Sequence, residues 1–245
     1  MRAPLTFLAL LAVPAAASAA VPGFDARSHD TAQDFALELR VNFSKPEIDS
    51  AKGLTGKPYD ATFGSDQQTG IGAEFDWQFA RIPHVGNLGV GVGVGRWAAV
   101  SKAVNYVDLS ATGDDTSLEL WQFSGLAVAR IDSLAEAGIP LVPFAKAGLG
   151  YSLWRAFGPD GTYSSKSATG HRAVGASYGF QWSAGLALLL DQFDPSSAKN
   201  LDQATGVNNT YLFVEYTNAR LRSSSSGSAL WVGGDSVTTG LTLEF

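Results

Sequence analysis

Apolar and polar residues alternate strictly over most of this chain, the period of a β-strand with two different faces. Over residues 35–43, Phe35, Leu37, Leu39, Val41 and Phe43 share one face, and Ala36, Glu38, Arg40 and Asn42 share the other. Residues 71–79 set Ile71, Ala73, Phe75, Trp77 and Phe79 against Gly72, Glu74, Asp76 and Gln78. Residues 88–95 read LGVGVGVG. The longest case, 174–188, opposes Tyr178, Phe180, Trp182 and Leu186 to Gly175, Ser177, Gly179, Gln181, Ser183 and Gly185. The chain ends with Val237, Thr239, Leu241, Leu243 and Phe245 opposed to Thr238, Gly240, Thr242 and Glu244.

Three further segments carry the pattern less cleanly. Residues 141–155 place Ala145, Ala147, Leu149, Tyr151 and Leu153 against Lys146, Gly148, Gly150 and Ser152, and 210–218 place Leu212, Val214 and Tyr216 against Tyr211, Phe213 and Glu215. In 116–131 either phase is awkward: one puts Gln122 and Ser124 on the apolar face, the other Glu119, and a bulge would switch between them. That makes eight strands, an even number. Long polar connections are expected at 44–69, 100–115, 156–171 and 220–229, and short turns near 83–87 and 132–140. The connection 190–208 breaks this rhythm by its length, and its stretch 195–204 has room for a brief helix. Residues 82–95 are the best uninterrupted apolar run, but alternating glycines are poor helix formers.

Alternation alone does not say which face is wet. Aromatic residues gather near strand ends on the apolar face (Phe35, Phe43, Phe79, Trp231), as in the girdles of membrane barrels. The opposite face is mostly Gly, Ser and Ala with few charges, which suits a narrow lumen better than a solvated sheet. Strands of nine residues and above match the 9–11 or so that a tilted strand needs to cross a bilayer. The expected fold is therefore an all-β, eight-stranded, antiparallel up-and-down barrel spanning a membrane, over 35–245. The soluble alternative is a lipocalin-like barrel.

Composition sharpens this picture. Of 245 residues, 27 are glycine, 16% are charged, 45% are hydrophobic and none is cysteine. Thiolate catalysis, cysteine zinc sites and disulfides are excluded. A net charge of −6 with a pI near 5.0 argues against nucleic acid as a partner. The first residues pair Arg2 with an apolar run from Leu5 to Val13 and an Ala17-Ser18-Ala19 cleavage site. Residues 1–19 thus read as a signal peptide, and 20–34 as a periplasmic segment leading into the barrel.

With signal, eight strands and a terminal GLTLEF, the chain resembles the small Gram-negative outer-membrane barrels of the OmpA/OmpX/OmpW type. Their assembly signature, a terminal phenylalanine with apolar residues at alternate positions before it, is matched by Val237, Leu241, Leu243 and Phe245, with leucine at 243 where an aromatic is usual. The stretches KAGLGYSLW (146–154) and NNTYLFVEY (208–216) also resemble a group of eight-stranded barrels from myxobacterial-type genomes. The resemblance implies residence in the outer membrane, lipid as the surrounding partner, and delivery by the barrel-assembly machinery through the C-terminal strand. It implies no cofactor. It leaves the ligand of the outer loops unspecified, since fold does not imply function.

Most apparent chemistry dissolves on inspection. GASYG at 175–179 matches G-x-S-x-G formally, but Ser177 sits inside an alternating strand and all three histidines precede it. The glycines at 89–95 lack phosphate-loop spacing and a following helix. His29, His84 and His171 have no metal-ligand spacing, so no metal site is expected. The informative residues are the charges on the small-residue face: Glu38, Arg40, Glu74, Asp76, Lys146 and Glu215. In a barrel just wide enough for side chains to fill, they must pair or meet water, with Arg40 and Lys146 as the cations. The expectation is a non-enzymatic structural or surface-interaction protein with a polar, plugged lumen. A narrow channel for small, even apolar, solutes is the alternative, and an outer-membrane lipid-modifying enzyme the third.

Overall fold

The computed structural model describes residues 34–51, 56–104, 110–158, 173–222 and 230–245. The expected signal peptide and most of segment 20–34 lie outside them, as does His171. Eight strands form one closed antiparallel barrel in sequence order: β1 (Phe35–Ser44), β2 (Gln68–Ile82), β3 (Gly86–Val104), β4 (Ala111–Ile131), β5 (Leu141–Phe157), β6 (Val174–Leu189), β7 (Asn209–Arg222) and β8 (Gly234–Glu244). β8 closes on β1, with Leu39 opposite Leu241 and Phe43 opposite Val237. No strand edge is left free, which is how a sheet survives without disulfides or water on its outer face.

The register fixes the barrel's shape. From Arg222 the paired residues run through Tyr178, Tyr151, Phe123, Val94, Ala73, Leu39 and Leu241, and return to β7 at Leu212, ten residues earlier. A stagger of that size over eight strands tilts them by roughly 40° and leaves an interior that side chains can fill.

The ambiguous strand resolves without a phase switch. β4 pairs with β3 in unbroken register from Thr116 to Ile131. Trp121 and Phe123 are exposed, Leu118, Leu120, Leu126, Val128 and Arg130 are buried, and Gln122 and Ser124 share the inward face. Glu119 therefore points outward, where Arg96 Nε donates to it at 2.7 Å. Register shifts lie instead in β2, between Gln78 and Ala80, and at the loop end of the β3–β4 pair, between Lys102 and Val104.

The connection expected at 100–115 is a correction. β3 runs to Val104 and β4 starts at Ala111, so most of that segment is ladder, with Ser101 opposite Thr116 and Lys102 opposite Asp115. Gly113-Asp114-Asp115 reads as a turn locally, but Lys102 Nζ donates to Asp115 at 2.6 Å across the pair.

The two ends of the barrel differ. At the turn end are the connection 83–85, a short helix α2 (Ser133–Glu136), and α3 (Pro195–Thr205), which occupies the long connection where a helix had room. At the loop end, the β1–β2 connection carries a 3-10 turn (Ile48–Ser50) and a short helix, α1 (Pro58–Phe63). None of these helices is long and apolar enough to cross a membrane.

Candidate functional site

The barrel's exterior is apolar around its circumference. Leu39, Ile71, Phe75, Trp77, Val92, Leu149, Phe180, Leu212 and Val214 are all exposed, with Ile71 at 65% and Leu149 at 69%. Side chains of this kind on every strand are a lipid-facing belt, since soluble monomers rarely expose a contiguous apolar patch beyond a few hundred Å². Of the expected girdle residues, Phe35 and Phe79 stand toward the turn end beside Trp77, with Phe35 stacked on Phe75 at 5.5 Å. Phe43 stands at the loop end of β1. Trp231 lies beyond the β8 ladder at that end, half-buried, with the Arg222 guanidinium 4.2 Å above its ring.

The interior is filled in layers. Nearest the turn end, Glu244 accepts from Gln78 (2.9 Å), Asn209 (3.1 Å) and the Tyr211 hydroxyl (2.8 Å), and Asn87 in turn donates to Gln78 (2.9 Å). Beside them, Val142, Phe144, Ala187, Leu189, Tyr211 and Phe213 form an apolar cluster.

Above it lies the layer of charges. Glu38 is its hub: it meets Arg40, Arg130 (2.8 Å) and Lys146 (2.8 Å). Lys146 also reaches Glu74 and Glu215, the latter at 3.4 Å. Arg40 bridges Glu74 (3.1 Å) and Glu215, and Arg130 also holds Asp76 at 2.8 Å. The aromatic rings of the neighbouring cluster face the cations, with Arg40 5.4 Å from the Phe213 centroid and Lys146 5.3 Å from that of Phe144. All six charges singled out from the sequence meet in this one layer.

Two members of the lumen escaped the sequence reading. Arg130 is a third cation, so Arg40 and Lys146 are not the full set; it is 4% exposed and binds two carboxylates. Its signal was the phase of β4: placing Trp121 and Phe123 outward puts Arg130 inward. Glu244 is a further carboxylate, buried one residue from the terminal phenylalanine. The inner face of β3 shows why small residues are needed there. A Cβ on Gly91 would stand 2.2 Å from Asp76 Oδ1, and one on Gly93 2.4 Å from Ser124 Oγ.

Glu38, Glu74 and Asp76 bring carboxylate oxygens within 4.8 Å of one another, close enough to hold a metal ion. Their positive partners are already present as Arg40, Arg130 and Lys146, so the trio reads as part of the ion-pair layer.

Beyond the charges the lumen widens into a chamber of about 130 Å³, with Arg40, Glu74 and Glu215 as its floor and Asn42, Gln122, Gln181, Ser183 and Thr217 among its walls. The loop end is capped by apolar packing of Ile48 and Tyr59 against Trp97, Leu118, Leu120, Leu221 and Val232. The β1–β2 connection is tied down for this. The Asp49 carboxylate accepts from the backbone N–H of Tyr59 (2.7 Å) and Asp60 (3.0 Å), and Glu47 N–H donates to the Gly233 carbonyl (2.7 Å). A hydrogen bond from Lys45 holds the Asp60 carboxyl below its ordinary range, and burial beside the Asp60 and Asp49 carboxylates pushes the Tyr59 phenol up to about 12.

Neither of the other singled-out groups joins a site. Ser177 Oγ donates to the Leu230 carbonyl at 3.0 Å, inside the lumen. His84, in the β2–β3 turn with φ 63°, lies 3.0 Å from the Glu136 carboxylate.

A closed eight-stranded barrel, apolar outside and packed with polar groups inside, has the architecture of a small transmembrane β-barrel. Solved structures of that class align with it: OprG from Pseudomonas aeruginosa shares 13% identity at a TM-score of 0.50, covering 87% of this chain and 96% of that one. Neisserial surface protein A (NspA) shares 15% identity at a TM-score of 0.43, covering 86% and 97%. Ail of Yersinia pestis, crystallised with the heparin analogue sucrose octasulfate, shares 13% at 0.42, covering 86% and 97%. No protein-family model and no curated protein sequence matches the chain.

Proposed function

We propose that this chain is an outer-membrane barrel with a structural or surface-interaction role, its lumen plugged and its loops presented outside the cell. Residues 1–19 direct export and 20–34 stay periplasmic, which puts the turn end inside and the loop end outside. The barrel-assembly machinery reads Val237, Leu241, Leu243 and Phe245 on β8, and Phe35, Phe43, Phe79 and Trp231 anchor the two interfaces. The observation that carries the plugged lumen is the ion-pair layer. Four buried carboxylates, the buried Arg130 and Lys146 and the half-buried Arg40 cross the barrel, and the Tyr59 cap lies above them. Charges held this way do not move aside for a passing solute without exposing unpaired partners.

Planar-bilayer recordings test this. The parent is expected to insert without a steady conductance, and Arg40→Ala and Lys146→Ala to produce one; a well-defined conductance in the parent contradicts the plug. That same outcome supports the second reading, a narrow channel for small solutes, which the chamber above the ion pairs favours. A lipid-modifying activity has less behind it, since Ser177 is committed to the Leu230 carbonyl.

A further inference from the structure

The outward face of β7 changes character along its length. Leu212, Val214 and Tyr216 face lipid, then come Asn218, Arg220 and Arg222. The two arginines are exposed and lie on the same face, roughly 6.6 Å apart along the strand. Arg220 pairs across to Phe180 and Arg222 to Tyr178, both exposed aromatics, and Trp231 stacks on Arg222 from the other side. They therefore stand where the apolar belt gives way to an aromatic interface at the loop end.

Their pairing is unlike that of Arg96 and Lys102 on this outer wall. Arg96 has Glu119 at 2.7 Å and Lys102 has Asp115 at 2.6 Å, while Arg155 stands opposite Glu119 in the ladder. Among the described residues neither Arg220 nor Arg222 has a carboxylate within ion-pair distance. The adjoining segment 223–229 reads SSSSGSA and contains no acid that would supply one. Both arginines line a groove of about 310 Å³ with Asn218, Trp231, Gly233 and Glu47. Glu47 is the one carboxylate there and forms no ion pair with either guanidinium; Asp235, opposite Asn218, accepts from that amide at 2.6 Å.

We propose that Arg220 and Arg222 form a binding site for the phosphate of an anionic, phosphorylated lipid headgroup in the outer leaflet, with Tyr178, Phe180 and Trp231 packing against the lipid beside it. Two guanidiniums present parallel N–H donors that match phosphate oxygens, and at the membrane interface no bulk water or salt competes fully for them. Headgroup height selects a lipid over a free anion, because the acyl chains of such a lipid fall along the belt below. The site rests on the orientation proposed above.

The test uses the full barrel refolded into phosphatidylcholine nanodiscs containing either bis-phosphorylated lipid A or its dephosphorylated form, with lipid retention read by native mass spectrometry. The parent is expected to retain the phosphorylated form by roughly tenfold or more over the other, and Arg220→Gln with Arg222→Gln to lose that preference. Arg96→Gln, which removes a cation already paired, is expected to keep it. Equal retention of both lipids by the parent, an unchanged preference in the double variant, an equal loss in Arg96→Gln, or displacement by inorganic phosphate at the lipid's own concentration overturns the site. A heat-dependent shift in gel mobility, scored on each sample, reports whether the barrel itself is folded, so a failure of the membrane reading is seen separately.

Discussion

Glu38 meets three cations at once, as Arg40 and Lys146 each meet three carboxylates, so its loss is felt across the whole layer. Removing one partner of a buried ion pair typically costs about 3–5 kcal/mol, and the remaining carboxylates on Arg40, Arg130 and Lys146 put Glu38 at the low end of that range. Glu38→Ala is expected to destabilise the folded barrel by that order in urea titration, whereas Glu119→Ala, which breaks the outer-wall contacts with Arg96 and the Trp121 indole, is expected to cost about 1 kcal/mol or less. The glycines give a second contrast. A Cβ on Gly148 would stand 2.1 Å from the Gly125 carbonyl oxygen, forcing β4 and β5 apart, while one on Gly95 meets only the Ile71 carbonyl at 3.5 Å. Gly148→Ala is expected to destabilise by about 1–3 kcal/mol and Gly95→Ala to refold like the parent, again by urea titration. At this scale the inward charges were legible because a charged residue on a small-residue face has no other place to go. Arg130 was not, since its strand admits two phases in sequence; alternation does put Glu244 on the small-residue face, and its burial follows from the ladder reaching it at Asn209.

Elements outside the ladder are held by single side chains, and their stability follows those groups. Helix α3 buries none of its residues, so its first turn depends on Asp194, whose carboxylate accepts from Ser197 N–H at 3.1 Å and from the hydroxyls of Ser196 and Ser197. These bonds, that of the Ser197 side chain foremost, pull the Asp194 pKa from 3.8 down to about 2. A depressed carboxylate contributes fully above its unfolded pKa and loses that contribution as pH falls through its folded one. Amide exchange at Ser196 and Ser197 is therefore expected to accelerate between pH 4 and pH 2 beyond the intrinsic trend, and Asp194→Asn to remove that dependence while keeping a cap. The capping connection is tied in the same way by Asp49, so Asp49→Ala is expected to open it to chymotrypsin at Tyr59 and Phe63 while the barrel stays intact. Strands were the legible elements, because a face that meets lipid and a face that meets a filled lumen enforce period two. That rule fades where β3 and β4 rise past the belt: Val100 is 74% exposed outside while Ala99 and Leu118 are buried in the cap, so sequence alone reads a loop where the ladder continues.

At the scale of the whole molecule, low charge and abundant glycine answer the same requirement. The outer wall has no use for charges along the belt, and the inner wall has little room. Strand number was readable from the count of alternating segments. The stagger was not, because it is set by which residues pair across all eight strands and no local segment carries it. Closure makes the barrel a single cooperative unit with every strand hydrogen-bonded on both sides. The most direct measurement is electrophoretic mobility of the membrane fraction with and without boiling. A closed barrel holds its compact form in detergent until heated, so two distinct bands are expected, the unheated one disappearing on boiling. A single unchanged band, with the protein recovered in the soluble periplasmic fraction, would contradict the account.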